Sequence, residues 1–576
     1  MSYRMSHRIF IRAALVAMSG LLWWGCSSVR PAPPKKAPPQ AHSQSQSESQ
    51  PARSEPEPVS DARVQKLAEA HAHYSAGVIH EMNEEPEEAL QEYYQAALGD
   101  PADEALTLEV ARRFLQSKKP EKALEVLNRS ASRRDASGAI YARLGFAYAQ
   151  QGKTSDAIAA NKIAVKRSPR EFVGYQNLFL NYIQTKQNQE ALKVLDEAAR
   201  QQDVDVEFLV SLADLYASLA TQIPAQKDAI RAKALQVLTR AEKLNPSSPQ
   251  MRLLLAEGFN SLGDYAKATK LYLDLLKTLP DLPLIRERVR AKLTDIYLKT
   301  EDRERAVEQL KAILRDDPMN SQAYYFLGTI ALEEKKLPDA IEYFGRTITL
   351  KSDFAQAYYD LAIAQIQSNK AGDALATLNK ARQRFAENYL LEFCTAMAYS
   401  GQKDYGEAIK HYTSAEIMAK ATDPGRLTEF FYFQFGAAYE RQKQYEDAEK
   451  QFQKCLQMKP DFAGALNYLG YMWAEHGMKL EQARELIEKA VKLEPKNAAY
   501  LDSMGWVLYK LSKPKEALNY LLKAIELSEE PDATVYDHLG DIYAALNQRD
   551  KAREAWQKSV SLEASDEVKK KLENGK

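Results

Sequence analysis

Cysteine is nearly missing from this sequence. Cys26, Cys394 and Cys455 are the only three in 576 residues, too few for the disulfide framework of a small secreted fold. An excess of charge is missing too. Lysine and arginine number 78, aspartate and glutamate 79, which excludes the strongly basic surface of a nucleic-acid-binding protein. There is no Gly-rich phosphate loop, no G-x-S-x-G elbow and no C-x-x-C pair, so the usual signatures of nucleotide binding, serine hydrolysis and dithiol chemistry are lacking, and no cofactor is expected. No long strand pattern occurs, and the apolar run from Ala13 to Gly25 is shorter than the ~20 residues a membrane-spanning helix needs.

That run is informative for what surrounds it. Arg4, Arg8 and Arg12 precede it with no acidic residue among them, and a basic start followed by a short apolar core reads as a secretory signal over residues 1–25. It ends on Gly25-Cys26. From Ser27 to about Ser60 the chain is rich in Pro, Ser, Gln and charge. Such a stretch buries too little surface to fold, and as an extended coil it reaches on the order of 30 Å or more. Residues 26–60 therefore read as a tether.

The rest is organised by one alanine. Ala89, Ala123, Ala157 and Ala191 are spaced 34 residues apart, and the series continues through Ala234, Ala268, Ala306, Ala340, Ala374, Ala408, Ala448, Ala483, Ala517 and Ala552. Twelve residues before many of them is a glycine, as at Gly77, Gly145, Gly328, Gly436, Gly505 and Gly540; Gly470 precedes Ala483 by thirteen. Four residues after each comes a large apolar side chain, such as Tyr93, Tyr272, Phe344, Tyr412, Phe452 or Trp556, with Asn161 the exception. Proline often follows twelve after the alanine, at Pro101, Pro169, Pro246, Pro280, Pro318, Pro460 and Pro495. The physical reading is a repeated helical hairpin. Small residues let two helix backbones cross closely, the large residue shares a face with the alanine, and proline stops the second helix. A fixed period of this length is the mark of a repeat architecture.

Segments such as "YYFLGTIALEEKKLPDAIEYFGRTITL" and "VYDHLGDIYAALNQRDKAREAWQKSV" resemble the tetratricopeptide repeat (TPR) family. The resemblance implies an all-α, right-handed α-solenoid of about fourteen hairpins. We divide it into segments 70–248, 249–422 and 423–564, with residues 565–576 ("SDEVKKKLENGK") as a polar capping helix and tail. The repeats at 104–137 and 172–205 lack the glycine. The period is interrupted within Ser218–Lys233, near Asp281–Arg286 and at Lys420–Thr428, either as surface loops or as breaks in the spiral. The Gly25-Cys26 junction resembles a bacterial lipobox, although Trp23 and Trp24 stand where that motif has a leucine and a small residue. That resemblance implies lipidation at Cys26, and Ser27 implies sorting to the outer membrane. An ordinary cleaved signal and an uncleaved anchor are the alternatives.

Catalytic candidates are few. "HEMNE" (His80–Glu84) places Glu84 where a zinc-protease motif needs its second histidine. His73 and His80 share a helical face, but they also fall at repeat positions held by packed aromatics, so no metal site is expected. Cys394 and Cys455 fall on buried helical positions. The TPR resemblance instead implies a binding groove lined by positions 2, 5, 9 and 12 of each first helix. Position 5 gives Tyr325, Tyr359, Phe393 and Phe433; position 9 gives Ile363, Met397, Tyr471 and Trp506. These residues are the expected partner-binding set, with packing between helices as the competing role. The Lys/Asn carboxylate clamp of chaperone-binding TPRs is absent. The segments "LNYLGYMWAEHG", "YLDSMGWVLYK" and "YDHLGDIYAAL" look like those of bacterial envelope TPR lipoproteins. The likeness implies a non-catalytic protein-binding adaptor, facing the periplasm and held at the membrane through its N-terminal lipid, whose partner could be a periplasmic carboxyl-terminal processing protease. A structural scaffold in polysaccharide secretion or outer-membrane assembly is the alternative.

Overall fold

The computed structural model describes residues 61–278 and 282–574. The signal segment, Cys26 and the tether lie outside the described residues, as do Pro280 and Asp281. Every regular element among the described residues is helical, and none of these helices is long and apolar enough to cross a membrane.

The chain divides into two compact units, one up to Gln309 and one from Leu310. The first contains α1 (Asp61–Met82), α2 (Pro86–Gly99), α3 (Glu104–Gln116), α4 (Pro120–Ala131), α5 (Gly138–Gln150), α6 (Thr154–Arg167), α7 (Phe172–Gln184), α8 (Asn188–Ala199), α9 (Val206–Gln222), α10 (Lys227–Lys243), α11 (Pro249–Ser261), α12 (Tyr265–Thr278) and α13 (Pro283–Lys299). The division falls within α14 (Arg303–Asp316). The second contains α15 (Ser321–Glu333), α16 (Leu337–Leu350), α17 (Ala355–Gln367), α18 (Ala371–Arg382), α19 (Tyr389–Gly401), α20 (Tyr405–Thr422), α21 (Glu429–Arg441), α22 (Tyr445–Met458), α23 (Ala463–Glu475), α24 (Leu480–Leu493), α25 (Ala498–Lys510), α26 (Pro514–Leu527), α27 (Ala533–Ala545), α28 (Arg549–Leu562) and α29 (Asp566–Asn574). Odd-numbered helices up to α27 are the first, or A, helices of the hairpins. Within a unit A helices pack on their own B helices and on neighbouring A helices, as α5 does on α6 and α7 and α17 on α18 and α19. This is the stacked-hairpin arrangement of an α-solenoid.

Short local signals set the ends of the helices. Asn320 caps α15 by accepting from the Ala323 amide at 2.9 Å, and Asp205 and Asp532 do the same for α9 and α27, satisfying donors that the first turn leaves open. Between A and B the chain turns through a residue in the left-handed region. In most hairpins that residue is not glycine but Lys118, Lys186, Lys335, Asn369, Lys403, Lys443, Ser512 or Asn547. The turn then closes on carbonyls of helix A: the Lys336 amide donates to Ala331 O at 2.8 Å, a Schellman-type closure. The described prolines of the repeat lie two or three residues beyond the ends of α2, α6, α10, α14, α22 and α24.

The alanine series occupies the hairpin crossings, where all fourteen side chains are at most 1% exposed. The glycine has a more specific reason than close backbone approach. A Cβ at Gly328 would lie 2.7 Å from two ring carbons of Phe344, so the ring four residues after the alanine lies against the glycine. Asn161, the one polar residue at that position, is explained by a buried pair: Asn177 Nδ2 donates to Asn161 Oδ1 at 3.2 Å and to Ala142 O at 2.9 Å.

The interruptions of the period are extra helix more than loop. Around Ser218–Lys233 both α9 and α10 grow to 17 residues, joined by a short 3-10 turn at Pro224–Gln226. Likewise α13 has 17 residues, and α20 has 18 before a second 3-10 turn at Pro424–Arg426. At the far end α29 covers the last hairpin. Its Val568 is buried against Trp556, and Lys571 Nζ lies 2.8 Å from both Asp537 and Asp541.

Candidate functional site on the A helices

Residues four apart share a helical face, so positions 5, 9 and 13 form one strip along each A helix. In the second unit the structure separates these positions. Position 5 is closed: Tyr325, Tyr359, Phe393 and Phe433 are at most 5% exposed. Tyr325 lies 4.6 Å from the Phe354 ring, and its hydroxyl donates to Asp360 Oδ2 at 2.9 Å. The Tyr359 hydroxyl accepts from Asn388 Nδ2 at 2.9 Å. Phe393 stacks on Tyr389 at 5.6 Å and reaches Tyr412, while Phe433 packs on Phe462 and Phe452. The expected aromatic ladder is thus a seam between successive helices rather than the lining of a groove. Rings this large at 34-residue spacing bury more apolar area by packing against the next A helix than by facing water. Position 9 stays partly open, with Ile363, Met397 and Tyr471 half-buried, whereas Trp506 is buried.

Asp360 sits inside this seam and has an electrostatic consequence. Burial pushes its carboxyl up to about 6, against the hydrogen bonds from Gln356 and Tyr325 that favour the charged form. A carboxyl whose folded value is raised contributes stability below its unfolded value near 3.8, and that contribution is lost as pH climbs to about 6. Above that pH the folded state carries a charging penalty of about 3 kcal/mol. Asp360→Asn removes the penalty but leaves one of two donors without an acceptor, which costs ~1 kcal/mol. The expected outcome is a gain of about 1–2 kcal/mol at pH 8 and a flatter stability profile between about pH 4 and 6, read from chemical denaturation at each pH.

The most elaborate constellation lies on α23, α25 and α27. His538 Nδ1 is 2.9 Å from Asp502 Oδ1, and both side chains are buried. Trp506 stacks on the His538 ring at 3.9 Å and donates Nε1 to Glu475 Oε2 at 2.6 Å, while Lys510 lies over the indole at 4.6 Å. Burial works against the imidazolium, but Asp502, helped by Asp537 and Glu475, outweighs it and raises His538 above its ordinary value. Tyr471 stands 6.2 Å from His538. Burial, with the carboxylates of Asp502, Glu475 and Glu440, keeps its phenol protonated. One turn before it, Asn467 is 5% exposed with its Oδ1 unpartnered. An Asp–His pair is half of a nucleophile-activating arrangement, yet the nearby Ser503 hydroxyl is committed to Ala499 O at 2.9 Å and His538 is closed to solvent. The cluster can orient and hydrogen-bond; it is not assembled for group transfer. Sequence reasoning missed His538 because it occupies position 6, outside the strip that faces a groove; its neighbour Trp506 was the only signal.

Elsewhere, His73 is held by Glu92 at 2.7 Å and His80 by Glu85 at 2.6 Å, so the two histidines serve separate carboxylates. Among the described residues no group of three or more His, Cys, Asp or Glu side chains could hold a metal ion. Cys394 and Cys455 are buried free thiols.

Comparison with known proteins places these hairpins in context. Among curated proteins, Protein O-mannosyl-transferase Tmtc3 of Drosophila melanogaster is 33% identical over 72 residues, which is 12% of this chain and 8% of that protein; the chain thus matches less than a tenth of that relative's length. Similar solved structures include the APC/C hetero-tetramer Cut9-Hcn1 (TM-score 0.39, 15% identity, 81% of this chain and 95% of that one) and Pseudomonas aeruginosa pilF (TM-score 0.33, 19% identity, 38% and 97%). Family models of the tetratricopeptide repeat match residues 60–105, 108–171, 231–283 and 292–353, and further ones match 331–391, 430–462, 497–530 and 533–566. With such matches over more than half its length, and a buried alanine at every crossing beneath them, the chain belongs to the tetratricopeptide repeat family.

Proposed function

We propose that this protein is a non-catalytic adaptor of the bacterial envelope, held at the outer membrane by a lipid on Cys26 and presenting its repeats to a protein partner in the periplasm. The observation that carries the binding role is the partly open position-9 row Ile363, Met397 and Tyr471. A row of partly open side chains on the A helices of one stack suits a polypeptide. The anchor rests on the sequence: the short apolar run, the Gly25-Cys26 junction and the polar tether. A periplasmic processing protease, with the substrates it cleaves, is the partner favoured by the resemblance of the C-terminal repeats to envelope adaptors.

Two measurements test this reading. Cys26→Ala is expected to abolish labelling with a fatty-acid probe and to release the protein from the membrane fraction; unchanged labelling and fractionation remove the anchor. Met397→Ala with Tyr471→Ala is expected to weaken capture of the envelope partner by ~2 kcal/mol, the scale of an interface hot spot, with little change in melting temperature. Co-purification of a soluble protease supports the adaptor; co-purification of a pore or glycan-export machine replaces it with a scaffold.

A further inference from the structure

The first unit carries a second A-helix strip with different chemistry. Its position-9 residues on α5, α7, α9, α11 and α13 are Phe146, Leu180, Asp214, Glu257 and Asp295, and these helices are neighbours in the stack. The order is apolar and then acidic. Phe146 and Leu180 are 40% and 53% exposed, large apolar side chains left uncovered on adjacent A helices, where a folded chain alone gains nothing from them. Asp214 is exposed and has neither an ion-pair nor a hydrogen-bond partner among the described residues. Glu257 is met by a cation of the chain itself, Arg288 Nη2 at 2.6 Å, and Asp295 by Lys299 Nζ at 2.7 Å.

A second observation marks this place. Tyr272 is fully buried, and among the described residues its hydroxyl has no hydrogen-bond partner. The charged groups facing that hydroxyl are Glu257, Arg288 and Asp295. A buried phenol without a partner is costly. Arg288 acts as a built-in stand-in, showing that a guanidinium fits on Glu257.

We propose that the A-helix face of the first unit binds an extended polypeptide segment, one that sets an apolar side chain on Phe146 and Leu180 and a lysine or arginine on Asp214 and Glu257. The segment runs across consecutive repeats, and its cation meets the one unpaired carboxylate of the strip while competing with Arg288 for the other. This rests on the reading that A-helix faces receive protein partners, but it uses residues separate from those of the second unit, so the protein has two recognition surfaces of unlike chemistry.

Fluorescent peptides of defined sequence test it against the full chain in detergent. One set carries leucines followed by lysines; a second replaces the lysines with glutamates; a third replaces the leucines with serines. The first set is expected to bind at least about tenfold more tightly than either of the others, and its affinity is expected to fall with added salt. Asp214→Asn with Glu257→Gln is expected to remove the preference for lysine over glutamate, and Leu180→Ser the preference for leucine over serine. Met397→Ala with Tyr471→Ala is expected to leave both preferences intact. Exposed residues such as Asp214 and Leu180 leave the fold unchanged, which melting temperature checks. Equal binding of the lysine and glutamate peptides, or a lysine preference that survives Asp214→Asn with Glu257→Gln, overturns the inference. Because the envelope partner is captured through the second unit, that result leaves the adaptor reading in place, whereas loss of capture alone leaves this one in place.

Discussion

Phe393→Ala is expected to destabilise the second unit by about 3–5 kcal/mol, the range for removing a buried phenylalanine. The ring is 2% exposed. It lies between Tyr389, Tyr412 and Phe431 at centroid separations of 5.6, 6.0 and 5.7 Å, so truncation removes transfer energy and leaves a cavity that rigid neighbouring rings fill poorly. Had position 5 lined an open groove, the same change would lower partner affinity and leave melting almost unmoved. The two outcomes separate cleanly when melting temperature and partner affinity are measured on one purified variant. Unchanged melting with lost affinity returns Phe393 to the groove.

Ala340→Leu is the second large effect, at about 1–3 kcal/mol from overpacking. Ala340 has no exposed surface, and Phe344, one turn on, lies on Gly328. The three added carbons are expected to push α15 and α16 apart at this crossing. Because repeat stability is a sum of local and nearest-neighbour contributions, faster hydrogen exchange is expected across residues 321–388 and native protection farther along the second unit. Exchange that stays unchanged across 321–388 contradicts the assignment of Ala340 to the crossing.

How much of this was legible in the residues follows from where selection acts on size alone. The alanine and glycine of each crossing could be read from sequence because only small side chains fit there, and proline because its backbone stops a helix. The environment of position 5 could not be read in the same way. A tyrosine that lines a groove and one that packs against the next helix look alike in sequence, and only the placement of Phe354, Phe431 and Phe462 decides between them. The hairpin turns were hidden for a different reason. Lys335 and Lys403 adopt a left-handed backbone that favours glycine, and nothing in lysine announces it. The long insertions could not be resolved into loop or helix because their residues suit both. Of the candidate site, Tyr471 and Trp506 were visible through their repeat position; Asp360 and His538 were not, since each gains its character from a partner on a neighbouring helix.

The covering of the last hairpin by α29 bears on how these chains behave towards one another. A stack of repeats is one-dimensional, and the exposed side of its final hairpin is shaped to receive another hairpin. If it were bare, Trp556 and the carboxylates of Asp537 and Asp541 would be offered to any neighbouring molecule. A head-to-tail contact of that kind does not close on itself, so it propagates into fibres. By seating Val568 against Trp556 and placing Lys571 between the two aspartates, α29 occupies that position from within and denies it to a second molecule.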